Sequence, residues 1–413
     1  MLSIEAVVIG AGQAGLAVSR CLTDADVEHV VLERGRVAER WRSQRWDSLR
    51  LLTPNWATRL PGWSYHGSEP DGYLTAAEFA DYLAGYAASF DAPVHAGTAV
   101  TSVERTGSRF TVRSDLGTWR VGNVVLATGW CDQPRIPAVA RRLSPSITQL
   151  TASTYRNPTQ LPPGGVLIVG ASASGVQLAD ELSRSGRPVT VAAGSHRRLP
   201  RRYRGRDIWC WLEQIGSFRV AINDVVDPAA ARSGGALQLV GRAHPEVDLP
   251  ALQALGIQLA GRLSGIDGPH VCFADDLAAT TSDADRGMRR VLAGIDDHIA
   301  NHGLTHEVSA PTTPSGLVTR ATVRHLDLRR AGISTVLWAT GFTRHYPWLQ
   351  LPALGSDGEI RQRQGVTPVA GLYVVGQRLQ HRRDSDLIDG VRHDAAVVAQ
   401  YIADRHQRLR AAS

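Results

Sequence analysis

The stretch VVIGAGQAG, residues 7–15, joins a short apolar run to a glycine-rich turn. In the pattern Gly-x-Gly-x-x-Gly after a strand, the glycines let backbone N–H groups approach a pyrophosphate at the positive end of the next helix. Apolar residues at helical spacing follow the turn, and HVVLERG is typical of a second strand, with the acid Glu33 at its end. Such an acid accepts hydrogen bonds from ribose hydroxyls. The stretch therefore predicts an adenine dinucleotide site at Gly10, Gly12, Gln13, Ala14, Gly15 and Glu33.

The same order of strand, turn, helix and strand recurs at GVLIVGASASG, where Ser172 replaces the second glycine. Glu33 lies 23 residues after Gly10, and the residue 23 positions after Gly170 is Ala193. The acid is therefore missing from the second unit, and the residues GSHRR follow Ala193. A carboxylate there would repel a 2′-phosphate, whereas a serine and arginines can hold one. We therefore predict NADPH at a second site, formed by Gly170, Ser172, Ser174, Gly175, Ser195, Arg197 and Arg198. The alternatives are a turn without a ligand and a solvated arginine-rich rim.

Each βαβ unit is followed by a strand that ends in Ala-Thr-Gly, at Gly129 and Gly341, and we include both glycines among the cofactor-binding residues. This duplication predicts an α/β fold of two Rossmann-like dinucleotide-binding domains. The second domain is inserted in the first, because the last strand and helix are needed to complete the first. We place the first dinucleotide-binding domain at 1–160 and 326–413, and the second, NADPH-binding domain, with a partly helical insertion, at 161–325.

Composition excludes several classes of function. The 413 residues include no lysine, so mechanisms that need a Schiff-base or P-loop lysine are excluded. The four cysteines form no Cys-x-x-Cys pair, which argues against a dithiol centre or zinc site. The net charge of +6 favours anionic ligands without indicating nucleic acid, and we expect no metal, no membrane span and a cytoplasmic protein.

The two turns, the strands LATG and WATG, the segment RWDSLRLLTP and the closing LIDGVRHDAAVVAQYI resemble the bacterial flavin-containing monooxygenases. These class B flavoproteins are related to Baeyer–Villiger and N-hydroxylating monooxygenases. The resemblance covers nearly the whole chain and is faint across 205–310. It implies FAD at the first turn, with Arg34 beside the ribose. It also implies flavin contacts by Trp41, Arg42, Leu52, Thr53, Gly376, Asp389, Gly390 and Val391.

The resemblance leads to a mechanistic hypothesis. NADPH reduces FAD, oxygen adds to the reduced flavin, and the resulting peroxyflavin transfers one oxygen atom to a small organic substrate. Arg45 and Asp47 are the candidate catalytic residues that support this intermediate, and the alternative for them is a structural ion pair. The competing functions are a flavin reductase without oxygen transfer and a non-catalytic nucleotide-binding protein. Residues 205–310 are the candidate substrate pocket, and a homodimer is possible.

Overall fold

The computed structural model describes residues 2–233, 235–243, 245–318 and 323–411. In these ranges, none of the helices has both the length and the apolar character that a membrane span needs. The α-helices are α1 (Gln13–Asp24), α2 (Glu39–Ser43), α3 (Ala76–Ala88), α4 (Ala173–Arg184), α5 (Ile208–Gln214), α6 (Pro228–Ser233), α7 (Leu249–Ala254), α8 (Leu277–Asn301) and α9 (Val391–Ala411). Short 3-10 helices lie at Asn55–Ala57, Ala138–Arg142, Pro158–Gln160, Ser217–Arg219, Ile222–Asp224 and Leu304–His306.

The strands lie in several sheets of unequal size. In chain order they are β1 (Leu2–Ile9), β2 (His29–Leu32), β3 (Arg59–Leu60), β4 (Trp63–Ser64), β5 (Val94–His95), β6 (Val100–Thr106), β7 (Arg109–Ser114), β8 (Thr118–Leu126), β9 (Gln133–Pro134), β10 (Thr148–Thr151), β11 (Gly165–Val169), β12 (Val189–Ala192), β13 (Arg197–Arg198), β14 (Arg202–Tyr203), β15 (Arg206–Asp207), β16 (Leu237–Gln238), β17 (Gln258–Ala260), β18 (Leu263–Asp267), β19 (His270–Phe273), β20 (His325–Asp327), β21 (Ile333–Trp338), β22 (Phe342–Thr343) and β23 (Leu372–Val374).

The first sheet has the order β5-β2-β1-β8-β7-β6, and β23 pairs with β8. The strand β8 changes partner along its length: its first half pairs antiparallel with β7, and Val124–Leu126 pair in parallel with β23. Helices α1 and α9 pack on this sheet through fully buried side chains such as Leu16, Val398 and Ile402. The last strand and helix therefore complete the first domain, as the sequence predicts.

The second sheet consists of the parallel strands β10-β21-β11-β12-β17. Two of its strands lie outside the predicted range 161–325, since the prediction assigns β10 to the first domain and β21 to the part that completes it. Both predicted boundaries are therefore wrong. The physical reason is that β21 pairs with β11 on one side and with β10 on the other, and Leu150 of β10 packs against the core cluster that contains Ile168 of β11 and Leu337 of β21.

The two connections between the domains pair with each other. One leaves β8 through β9 and the other leaves β21 through β22, and β9 and β22 form an antiparallel ribbon. The N–H of Arg135 donates to the carbonyl of Gly341 at 2.9 Å beside this ribbon. The ribbon is flanked by both Ala-Thr-Gly segments and therefore fixes the cofactor-binding edges of the two sheets relative to each other.

Helix α3 begins with a capping box at Thr75 and Glu78. The Thr75 hydroxyl accepts from the N–H of Glu78 at 3.2 Å, and the Glu78 carboxylate accepts from the N–H of Thr75 at 2.7 Å. We expect Thr75→Ala to lower the free energy of unfolding by about 1 kcal/mol, because the cap satisfies helix donors that otherwise lack a partner. Urea unfolding measures this change. Thr75→Ser keeps the acceptor and should restore the stability; an equal loss in both variants would contradict the role of the hydroxyl.

Candidate cofactor and active site

The two glycine-rich turns have nearly the same backbone geometry. Gly10 and Gly170 have φ values of +107° and +110°, a region that favours glycine. A Cβ on Gly15 or Gly175 would lie only 1.8 or 1.9 Å from the carbonyl oxygen of the first glycine of its own turn. Each helix therefore packs directly onto the end of its strand, which is the close approach that a dinucleotide turn requires.

The middle position differs between the turns without a difference in conformation. Gly12 has φ −86° and ψ −172°, and Ser172 has φ −80° and ψ −174°. Any residue adopts these angles, so the substitution in the second turn causes no backbone strain. A Cβ on Gly12 would have no neighbour within 4 Å, so the space in front of the first turn is open to a ligand.

A cavity of about 610 Å³ extends from the first turn to α5 of the insertion. Ligand sites commonly have volumes of this order. The predicted residues that line it are Gly10, Gly12, Gln13, Ala14, Glu33, Arg34, Trp41, Arg45, Leu52, Thr53, Gly129, Gly376 and Val391. The structure therefore brings together most of the residues that the sequence assigns to the FAD site. We call this space the flavin cavity.

The Glu33 carboxylate is fixed at one end of the flavin cavity. Its two oxygens accept from the N–H of Ala11 at 2.8 Å and from the N–H of Gly35 at 3.0 Å. Each carboxylate oxygen has a second lone pair that can accept a ribose hydroxyl. At the far side of the turn, a Cβ on Gly376 would lie 2.8 Å from the Ala14 side chain, so this glycine packs on the first turn of α1.

Arg40 is a cavity residue that the sequence analysis missed. Its guanidinium donates to the carbonyl oxygens of Thr128 at 3.2 Å and Cys131 at 2.6 Å, and it pairs with Asp132 at 2.5 Å. It therefore holds α2 against the loop after β8. No local pattern indicates this role, because all three partners lie about 90 residues further along the chain.

The two candidate catalytic residues lie in different places. Arg45 lines the flavin cavity, its guanidinium lies 5.0 Å from the centre of the Trp41 ring, and it has no carboxylate partner among the described residues. Asp47 is exposed and accepts from the Asn157 amide at 2.7 Å, outside the cavity. The proposed structural ion pair between them is therefore absent from this part of the structure, and Asp47 is not positioned to contact a flavin.

Three further predicted contacts lie outside the flavin cavity. Arg42 donates to Asp81 at 2.9 Å and to the Val37 carbonyl at 3.4 Å, and so it points away. Asp389 and Gly390 precede α9 and line a smaller adjoining cavity instead. Of the three consecutive residues predicted at this helix start, Val391 alone lines the flavin cavity.

The prediction that Arg198 belongs to the NADPH site is wrong. It is 2% exposed and pairs with Asp248 at 2.5 Å and Asp285 at 2.8 Å, and it donates to the Ser315 carbonyl at 2.7 Å. A buried guanidinium in which each of the three nitrogens donates to a protein acceptor is not available to a phosphate. Its role is structural, since removing it would leave two carboxylates unpaired in the second domain.

Ser195 and Arg197 remain at the surface, near the ends of the second sheet's strands. Arg197 donates to the Gly235 carbonyl at 2.6 and 3.1 Å. The Ser195 hydroxyl accepts from Arg262 at 3.1 Å, and this arginine follows β17, the strand next to β12. The sequence analysis missed Arg262 because its strand has only three residues and lies far from the turn. Arg262 also forms an ion pair of 3.6 Å with Asp276, so the surface beside Ser195 carries both a cation and an acid.

The described residues hold no group of three or more His, Cys, Asp or Glu side chains that could bind a metal. His298, His302 and His306 are spaced four residues apart, a spacing that can bind a metal on a helix. Gly303, with φ +68°, follows the end of α8, so His306 lies outside the helix that carries His298. All four cysteines are free. Cys131 lines the flavin cavity, and burial raises the pKa of its thiol. A protonated thiol is a poor nucleophile.

Comparison with known proteins identifies several similar chains. A sequence profile of the pyridine nucleotide-disulphide oxidoreductase family matches residues 7–213. An uncharacterized CzcO-like oxidoreductase from Geobacillus kaustophilus is 32% identical over 395 residues, which are 95% of this chain and 96% of the relative. Indole-3-pyruvate monooxygenase YUCCA1 from Oryza sativa subsp. japonica is 25% identical over 90% of this chain and 86% of its own. A flavin-containing monooxygenase from Stenotrophomonas maltophilia has a similar structure, with a TM-score of 0.69, 19% identity, and coverage of 98% of this chain and 99% of that one.

Proposed function

This chain belongs to the pyridine nucleotide-disulphide oxidoreductase family, with FAD and NADPH as cofactors, and on this premise we propose that it is a flavin-dependent monooxygenase. The proposed reaction consumes one NADPH, one proton and one O₂, and yields an oxygenated organic product, NADP⁺ and water. The observation that carries the proposal is the pair of matching glycine turns with one cavity that reaches from the first turn to the insertion. FAD supplies the chemistry when bound, by accepting hydride and activating O₂.

In this proposal the chain's own residues hold the cofactor and shape its surroundings. The N-terminus of α1 and the open space at Gly12 receive the FAD pyrophosphate, and Glu33 accepts the ribose hydroxyls. Leu51, Leu52 and Trp209 form an apolar wall that excludes water. Ser195 and Arg262 hold the 2′-phosphate of NADPH at the second turn.

Arg45 is the residue that we propose to contact the reacting end of the flavin. Its guanidinium stacks on Trp41, which fixes its orientation, and its charge has no carboxylate partner in the described chain. A fixed cation in a cavity stabilises negative charge that develops there during reduction and oxygen transfer. Asp47 has no part in this proposal, because its carboxylate is bound to Asn157 outside the cavity.

The test is the fate of oxygen. The purified protein should be yellow, and NADPH oxidation under ¹⁸O₂ should place one labelled atom in an organic product for each productive turnover. The test substrates are ketones, amines, indoles, thioethers and carboxylic acids. If all reducing equivalents are released as hydrogen peroxide with every one of them, the result contradicts oxygen transfer and favours a flavin reductase. A colourless protein that takes up no FAD would contradict the whole proposal.

The family also includes enzymes that reduce disulphides, so disulphide reduction is a second candidate function. Cys131 lines the flavin cavity and is the thiol that would take part in it. We expect Cys131→Ala to leave the NADPH oxidation rate within about twofold, because burial keeps this thiol protonated and unreactive. Steady-state absorbance of NADPH measures the rate, with Cys272→Ala as the matched control. A loss of most activity in Cys131→Ala alone would favour thiol chemistry over oxygen transfer.

A further inference from the structure

A second cavity of about 320 Å³ adjoins the flavin cavity. Thr53, Trp209, Leu387 and Ile388 line both spaces, so the two meet at these residues. Its volume is at the lower end of the range for ligand sites. The second cavity extends from this junction toward the 3-10 helix Ser217–Arg219, and so a molecule in it would have one end at the flavin cavity.

The lining of the second cavity combines apolar and charged side chains. Trp209 and Phe218 lie with their ring centres 5.0 Å apart, and Leu387 packs with them. Aromatic and aliphatic walls of this kind bind the apolar body of a small ligand. Most of the other lining residues are charged, and they can select the charge of the ligand.

The acids of the second cavity are all neutralised by arginines. Arg59 binds Glu213 at 2.9 Å and Asp389 at 2.8 Å, and Asp389 also pairs with Arg392 at 2.7 Å. Asp384 forms two hydrogen bonds with Arg382, at 2.9 and 3.1 Å. In the described structure every carboxylate that lines this cavity therefore has a cationic partner.

One cation remains. The Arg219 side chain makes no hydrogen bond or ion pair among the described residues, and it is exposed at the rim of the second cavity. The positive end of the long helix α9 begins at this wall and adds to the positive potential. Burial is the largest cause that lowers the pKa of His393; Arg382 and Arg392 lower it further, and Asp389 and Asp394 raise it.

We propose that the second cavity is the substrate site and that it selects a small organic carboxylate with an apolar body. The carboxylate pairs with Arg219, the body lies against Trp209 and Phe218, and the far end of the molecule reaches the flavin cavity at Thr53 and Ile388. This inference rests on the proposed oxygen-transfer function and narrows its substrate class. The site also disfavours amines. A cationic ligand would meet Arg219, and every carboxylate that lines the cavity in the described structure already has an arginine partner.

Binding is tested on the flavin-loaded protein without NADPH, using 3-phenylpropanoate, its uncharged amide and 3-phenylpropylamine. The readouts are Trp fluorescence and the visible spectrum of the flavin. We expect the acid to bind about tenfold more tightly than the amide, since one charge-assisted pair contributes on the order of 1.5 kcal/mol, and the amine to bind most weakly. Arg219→Gln should remove the preference for the acid, and Arg219→Glu should reverse it toward the amine. Arg289→Gln, at an exposed arginine of α8, is the matched control and should change nothing.

Equal affinities for acid and amide, or an unchanged preference in Arg219→Gln, would overturn the anion site whatever the enzyme's activity. Tight, Arg219-dependent binding of acids without any oxygenated product would leave the site standing and contradict the proposed function. The two failures are therefore distinguishable.

Discussion

Gly12→Val is expected to give a folded, colourless protein. The backbone at this position, φ −86° and ψ −172°, is open to any residue, and a Cβ there has no neighbour within 4 Å. The valine methyl groups would instead fill the space in front of the α1 N-terminus, where backbone N–H groups receive the FAD pyrophosphate. Loss of two amide–phosphate hydrogen bonds costs about 3–6 kcal/mol, so the affinity for FAD should fall at least about 100-fold.

The measurement is the ratio of flavin to protein absorbance after purification, followed by titration of the stripped protein with FAD. Circular dichroism and thermal melting of the stripped proteins show whether the variant is folded. Gly287→Val is the matched control, because a Cβ at this half-buried position of α8 also has no neighbour within 4 Å and Gly287 does not line the flavin cavity. A yellow Gly12→Val protein of normal stability would show that the pyrophosphate lies elsewhere.

The features that the sequence predicts correctly depend on local geometry. A strand followed by Gly-x-Gly-x-x-Gly and a helix fixes its own backbone, so both turns could be placed from the residues alone. The conformation at Ser172 is an example: a non-glycine residue there predicts an angle that any residue adopts, and the structure has φ −80°. The insertion of one domain in the other follows in the same way from the order of the repeated units.

The features that the sequence does not predict depend on contacts between distant residues. The boundary of the second domain is wrong because β10 and β21 belong to its sheet only through their pairing with each other and with β11. Arg198 looks like a phosphate ligand in the run GSHRR, but its partner Asp285 is on α8, 87 residues further along the chain. Neighbouring residues of a strand point to opposite faces, so Arg197 stays exposed while Arg198 enters the core.

Substitutions at Ser195 and Arg262 are expected to change the preference of the protein between NADPH and NADH. We expect Arg262→Gln to weaken NADPH binding roughly 10- to 150-fold, the equivalent of one charge-assisted hydrogen bond to the 2′-phosphate, and to leave NADH binding unchanged. Adding Ser195→Asp places a carboxylate two residues after Ala193, the position at which the acid is missing, and this carboxylate repels the phosphate and can accept the ribose hydroxyls of NADH. The double variant should therefore prefer NADH.

Isothermal titration with NADP⁺ and NAD⁺ measures these affinities without turnover, and kcat/KM for NADPH and NADH gives an independent ratio. Arg330→Gln is the matched control, since Arg330 and Arg262 are both exposed and each forms an ion pair of 3.6 Å with an aspartate. If NADP⁺ binds Arg262→Gln and the control equally well, then the phosphate must be held by other groups. Arg197 would be the first of these, because its guanidinium could exchange the Gly235 carbonyl for a phosphate oxygen.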